Sequence, residues 1–271
     1  MTLKQFILGL GTTLALNTAF AETPSVDDII HHTNYTSYYQ GQDGKAKVKM
    51  TITDAQNRTR SREFVVLRKD DTTSDNIKDR SYESDQKMYV YFNRPADVNK
   101  MVFMVLKKIK SDDDRWLYLP ALDLVKRIAA SDKRTSFVGS DFLYEDISGR
   151  NLDTDTHTLI GTDANYYIVE NKPVDASEVE FSKYIMYIHK TTFLPISTEY
   201  YDKQGEKYKT YTALAVETIA SYPTITKSEA KNLKTGGSTL MEYSSVEYDV
   251  GIPDDIFSER SLRKPPRKLL R

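Results

Sequence analysis

The feature that most constrains this chain is a hydrophobic period of two. Residues 45–52, Lys-Ala-Lys-Val-Lys-Met-Thr-Ile, alternate polar with apolar side chains. Successive side chains of a strand point to opposite faces, so Ala46, Val48, Met50 and Ile52 predict one apolar face. Residues 54–57 carry turn chemistry, and residues 58–69 return as a second strand. Residues 86–92 form a third, closed by Asn93-Arg94-Pro95, and residues 100–108 a fourth. The fourth is apolar without a break from Met101 to Leu106, which requires cover on both of its faces. Beyond Ile147 a meander of further strands is predicted over 156–161, 164–173, 183–189, 195–202, 207–217, 225–233 and 239–248. Gly205, Gly236 and Gly237 stand where hairpin turns want a positive φ. About ten or eleven strands with few helices predict a mainly β, antiparallel sheet or barrel. One short amphipathic helix precedes them: Ser25 suits its cap, Asp27 and Asp28 its positive end, and Val26, Ile29, Ile30 and Tyr35 one face.

The ends bound the rest. Met1 to Gln5 holds one lysine, residues 6–16 are apolar, and Ala19-Phe20-Ala21 precedes Glu22. Small residues at Ala19 and Ala21 predict a secretory signal peptide over 1–21, cleaved after Ala21, and the apolar run is shorter than the ~20 residues of a membrane span. The chain has no cysteine, which excludes disulfides, thiol catalysis, thiolate metal sites and a lipid-modified cysteine. Removing Lys4 from the 38 basic residues leaves 37 against 39 acidic ones, a net charge of −2. That balance argues against nucleic acid, which favours a basic face. A single domain is expected over 22–259, followed by a basic, mobile tail over 260–271. The 19 tyrosines are unusual; tyrosine suits surfaces that are half buried and half wet.

Residues 115–147 depart from the alternation. Arg115 to Leu119 opens as a strand, Pro120 interrupts it, and residues 124–128 can return as another. From Ser131 to Ile147 aromatics are scattered among charges around Gly139, a composition that suits a mobile cover over a cavity. The run DRWLYLPALDLVKRIAASDKRTSFVGSDFLYEDI, residues 114–147, closely resembles the signature of the LolA-like outer-membrane lipoprotein-sorting proteins, and the resemblance extends over roughly the whole mature chain. It implies a strongly curved, incompletely closed antiparallel β-barrel, with short helices covering an apolar cavity for acyl chains.

Little else in the sequence carries chemistry. His31, His32, His157 and His189 lack metal-ligand spacing. Asp112-Asp113-Asp114 lacks the glycine and distal glutamate of a calcium loop and reads as a solvated turn. Asp141, Glu145 and Asp146 are coupled to no nucleophile, histidine or phosphate loop, so ion pairs with Arg127, Lys133 or Arg134 explain them more simply. No cofactor motif occurs, and nothing reads as an enzyme. What remains is apolar surface: Phe92, Met101, Phe103, Met104, Trp116, Tyr118, Phe137, Phe142, Leu143 and Tyr144 are the expected cargo-binding lining. Ordinary core packing is the competing role for each of them, and a one-residue register change would exchange the inward set. Together these readings predict a non-catalytic periplasmic carrier of lipid or lipoprotein acyl chains. Its partners would be an inner-membrane transporter and, transiently, a membrane surface. The alternative is a filled-core subunit of an envelope export complex that binds protein and no lipid.

Overall fold

The computed structural model describes residues 23–71 and 83–270; the expected leader, with Ala19 and Ala21, lies outside them. Helix α1 (Val26–Asn34) begins at a capping box. The Ser25 hydroxyl accepts from the Asp28 N–H at 3.1 Å, and the Asp28 carboxylate accepts from the Ser25 N–H at 3.3 Å, which satisfies free donors of the first turn. Ile29 and Ile30 are buried against Tyr167, Val169, Ile188 and Phe193. The helix continues as a π-helical turn, Tyr35–Tyr39. Arg68 then donates to the carbonyls of Tyr38 at 2.7 Å, Gln40 at 2.5 Å and Gly41 at 2.9 Å, so acceptors left over at a helix end are met by one side chain.

Among the described residues thirteen strands make one sheet: β1 (Asp43–Thr53), β2 (Thr59–Asp70), β3 (Gln86–Arg94), β4 (Val102–Lys107), β5 (Asp114–Leu119), β6 (Leu124–Ile128), β7 (Asp155–Thr162), β8 (Tyr166–Pro173), β9 (Phe181–His189), β10 (Pro195–Asp202), β11 (Lys207–Ile219), β12 (Tyr222–Asn232) and β13 (Gly237–Tyr248). The count exceeds the ten or eleven expected; even the five-residue β6 pairs along its whole length with β5. The order is β6-β5-β4-β3-β2-β1-β13-β12-β11-β10-β9-β8-β7. Every chain neighbour is thus a sheet neighbour except β6 and β7, which are the two edges, while β1 and β13 pair antiparallel in the middle. The architecture is the expected open, curved antiparallel barrel, and its gap falls between two consecutive strands. Register shifts in β1 between Lys45 and Lys47, and in β11 around Ala215, add the local bend that a curved sheet needs.

The two faces of β1–β5 are filled differently. Inward lie Val48, Met50, Phe64, Val90, Phe92, Phe103 and Val105. The connection from β6 to β7 turns onto this face. It carries Phe137 and then α2 (Tyr144–Ser148), and Phe137 meets the rings of Phe64, Phe92, Phe103 and Tyr144 at centroid distances of 5.5–6.2 Å. Phe137 is fully buried. Its N–H donates to the Phe142 carbonyl at 2.8 Å, and the Tyr144 and Glu145 N–H groups donate to the carbonyls of Thr135 and Lys133. The segment expected to be a mobile cover is therefore a packed plug, because its aromatics enter the core.

Outward lie Val65, Leu67, Tyr89, Val102 and Met104, covered by Ile252, Ile256, Phe257 and Leu262. The last of these is in α3 (Glu259–Arg263). The Tyr89 hydroxyl donates to the Ser261 carbonyl at 2.7 Å, and Leu269 and Leu270 pack on the same cluster. The C-terminal segment is docked, which corrects the expectation of a mobile tail over 260–271. The unbroken apolar run of β4 has the two-sided cover it required.

Candidate functional site

Toward β9–β13 the inner face is not filled. A cavity of about 430 Å³ lies there, bounded by Thr33 and Tyr38 of the first helical segment, Phe64 and Val66 of β2, Tyr184 and Met186 of β9, Tyr200 of β10, Tyr211 of β11, and Met241 and Tyr243 of β13. From the plug, Phe142, Asp146 and Ile147 complete it. The volume falls in the range of ~300–1,000 Å³ typical of small-molecule sites. Alternation builds the wall: Tyr184 and Met186, Lys209 and Tyr211, and Met241 and Tyr243 each stand two residues apart on one strand face.

The lining is amphipathic, not purely apolar as expected. Burial pushes the phenol pKa of Tyr211 up to about 12 and those of Tyr38, Tyr184, Tyr200 and Tyr243 further still, so all five are neutral hydroxyls at ordinary pH. Tyr38 is held by its surroundings. Its ring lies against Gly149, where φ is +79° and an added Cβ would stand 2.9 Å from the ring, so both backbone and space require glycine. The Lys107 ammonium sits 5.4 Å from the same ring centroid and donates to the Ser148 and Gly149 carbonyls at 3.1 Å each. Burial without a carboxylate partner pushes the Lys107 pKa down.

Charges at the cavity wall are paired. Lys209 donates to Asp146 at 2.8 Å. Glu145 accepts from Arg134 and, at 3.4 Å, from Arg150, and Arg150 forms a two-pronged bond with Asp155 at 2.8 and 2.9 Å. Arg134 in turn grips Glu180 with two bonds of 2.7 Å; burial would raise the Glu180 carboxyl, but Arg134 holds it down at about 2. Such pairs fix α2 and the plug to β7–β9, since removing one partner of a buried pair leaves an uncompensated charge. Each carboxylate among the lining residues has a cation beside it, so these pairs hold the shape of the wall. Asp141, the other acidic residue singled out in the plug, accepts from the Thr239 hydroxyl at 2.7 Å. Among the described residues no cluster of His, Cys, Asp or Glu could hold a metal ion, and no helix is long and apolar enough to cross a membrane.

Of the lining expected from the sequence, Phe142 alone borders this cavity. Phe92, Met101, Phe103, Phe137 and Tyr144 belong to the packed inner core. Met104, Trp116 and Tyr118 face outward beneath the C-terminal segment. Leu143 forms an isolated bridge with Ser136 inside the plug. Phe103 and Met104 were expected together, and strand alternation separates them onto opposite faces. The tyrosines of β9–β13 were missed as site residues. The tyrosine count and their spacing of two from Met186, Lys209 and Met241 were the available signals.

An open antiparallel barrel, plugged by its own edge-to-edge connection and retaining a cavity on its concave face, has the LolA-like architecture. The chain belongs to the family whose model, described as “Uncharacterized protein”, matches residues 84–264. It is similar to a DUF1329 family protein from Desulfovibrio piger, with 29% identity and a TM-score of 0.77 over 87% of this chain and 97% of the other. A putative outer membrane lipoprotein-sorting protein domain from Vibrio parahaemolyticus has 25% identity and a TM-score of 0.75 over 88% and 97% of the two chains. A LolA superfamily protein from Nitrosomonas europaea shares the fold, at 18% identity and a TM-score of 0.66 over 88% and 99%. No curated protein matches the chain.

Proposed function

We propose that this protein is an exported, non-catalytic carrier that holds a lipid or lipoprotein acyl chain in the concave cavity and moves it between inner and outer membranes. The observation that carries this reading is the 430 Å³ space left open inside a barrel whose other half is packed solid. Phe64, Val66, Phe142, Met186 and Met241 offer it apolar walls, and methionine adapts to chains of varied shape. The leader ending at Ala21 would deliver the protein to the periplasm, and an inner-membrane transporter would load it.

Magnitudes fit a carrier. Burying eight to twelve methylenes at ~0.8 kcal/mol each supplies roughly 6–10 kcal/mol. Association and ordering take back several of these, which leaves affinity on the order of micromolar. Mass spectrometry of organic extracts from natively purified protein tests the reading, together with uptake of a fluorescent fatty acyl probe. Phe142→Glu and Met186→Glu each place an unpaired carboxylate in the cavity and are expected to abolish uptake, with circular dichroism confirming that each variant is folded. Folded variants that bind the probe as well as the parent, with no lipid in the extract, would favour the interaction-subunit reading. The solid aromatic packing around Phe137 is the observation on that side.

A further inference from the structure

Four of the polar groups that line the cavity bear on the head group of a ligand. Asp146 of α2, Lys209 of β11, Tyr200 of β10 and Tyr38 of the π-helical turn all line that cavity. The Lys209 ammonium donates to Asp146 Oδ2 at 2.8 Å and lies 5.5 Å from the Tyr200 ring centroid. Asp146 is close enough to raise the pKa of both phenols, and Tyr38 acts on Tyr200 in the same direction. Lys209, Asp146 and Tyr200 therefore form one cluster, and Tyr38 lines the same cavity.

Much of their hydrogen-bonding capacity is unused. An ammonium has three donors, and Lys209 makes one hydrogen bond. Asp146 Oδ2 accepts from Lys209 and from the Leu143 N–H at 2.9 Å, which leaves Oδ1. The hydroxyls of Tyr184 and Tyr208 are committed to Asp155 and Glu180. Those of Tyr38 and Tyr200 have no hydrogen-bond partner among the described residues. A plain hydrocarbon pressed against these groups would strip their water and return nothing. An anionic head would meet Asp146, and a cationic one would meet Lys209 and Arg134. The Lys209–Asp146 pair cancels in charge, so the cluster presents donors and acceptors without a net charge.

We infer that the cavity takes an uncharged amphiphile whose hydroxyl or amide head is held inside, at Tyr38, Tyr200, Lys209 and Asp146. Its hydrocarbon body lies along Val66, Phe142 and Met241. This rests on the carrier reading and deepens it, because the head group is recognised in the interior and not left at the mouth.

The experiment loads the full mature chain with N-phenyl-1-naphthylamine and displaces it with three ligands of equal chain length. These are 1-dodecanol, dodecyl methyl ether and dodecanoate. Dodecanol is expected to displace the probe at concentrations about tenfold lower than the ether, the ratio that one or two extra neutral hydrogen bonds produce. Dodecanoate is expected to do no better than the ether. Tyr38→Phe with Tyr200→Phe keeps both rings and removes both hydroxyls. It should keep the parent's circular dichroism and, with probe affinity measured separately for each protein, cut the alcohol preference over the ether to about threefold or less; should the double variant misfold, the two single variants carry the same reading. Equal displacement by alcohol and ether in the parent, an undiminished preference in the variants, or dodecanoate as the strongest competitor would each overturn the inference. A parent that takes up no naphthylamine probe would remove the carrier reading itself.

Discussion

The two halves of this sheet share one backbone architecture and differ in what covers them. In the half from β2 to β5 both faces are covered, by the plug within and the C-terminal segment without, except where β2 reaches the cavity at Phe64 and Val66. Its strands are accordingly apolar at consecutive positions, and five of the six β4 residues are buried. In the half from β7 to β12 alternation shows along β8 and β12, where buried and half-buried positions take turns. There the outer face carries exposed Leu214 and Val216, and the inner face keeps a cavity. The comparison teaches that cover, not strand propensity, decides where this barrel is solid and where it is hollow.

The largest effect should come from emptying the solid half. Phe137→Ala removes the ring that joins Phe64, Phe92, Phe103 and Tyr144, and a loss of about 3–5 kcal/mol is expected in urea unfolding. A loss below ~1 kcal/mol would mean that the plug is dispensable to the core. On the outer face Leu262 is fully buried, and Leu262→Ala should cost about 2–5 kcal/mol. It should also speed proteolysis after residue 252 if the C-terminal segment is held there by that contact. In the hollow half Met186→Ala only widens an existing space, so roughly 1 kcal/mol is expected. A cost equal to that of Phe137→Ala would erase the distinction between the halves.

The smallest effect is a change in pH dependence. Asp70, at the end of β2, is 3% exposed and accepts from Arg68 at 2.5 Å and Gln86 at 2.8 Å. Burial raises its carboxyl to about 6, against the opposing pull of those two donors. The folded chain therefore takes up this proton as the pH falls through 6, whereas the unfolded chain waits until near the ordinary value of 3.8. The stabilisation this group contributes is complete below that value and is lost as the pH rises through 6. Asp70→Asn should flatten the profile of Tm against pH between 4 and 6, read by calorimetry at matched ionic strength. An unchanged slope would show that Asp70 is not the titrating group.

Much of the architecture was legible because it rests on local chemistry. Alternation placed Ala46, Val48, Met50 and Ile52 on one face, and the last three are buried together in the inner core. Ser25 and Asp28 marked the first helix, and the glycines marked the hairpins. The signature over 114–147 pointed to the open, LolA-like barrel. These are properties of neighbours in the chain, and a period of two or a cap needs no distant partner.

The site was less legible because it is made of distant neighbours. Tyr38, Tyr200, Tyr211 and Tyr243 meet only after β1 has closed onto β13 and the sheet has curved. Nothing local told Phe103 from Met104, since adjacent strand residues differ only in the side they face, and that side is set by the whole sheet. The C-terminal segment read as a basic tail because its charges are contiguous. Its buried residues, Ile252, Ile256, Phe257 and Leu262, are spaced out and acquire meaning only against the outer face of β2–β4. By itself the sequence determined which segments are strands and how the chain turns between them. Tertiary structure alone decided which face is concave, which half is filled and where the cavity lies, because those are set by what each face buries against.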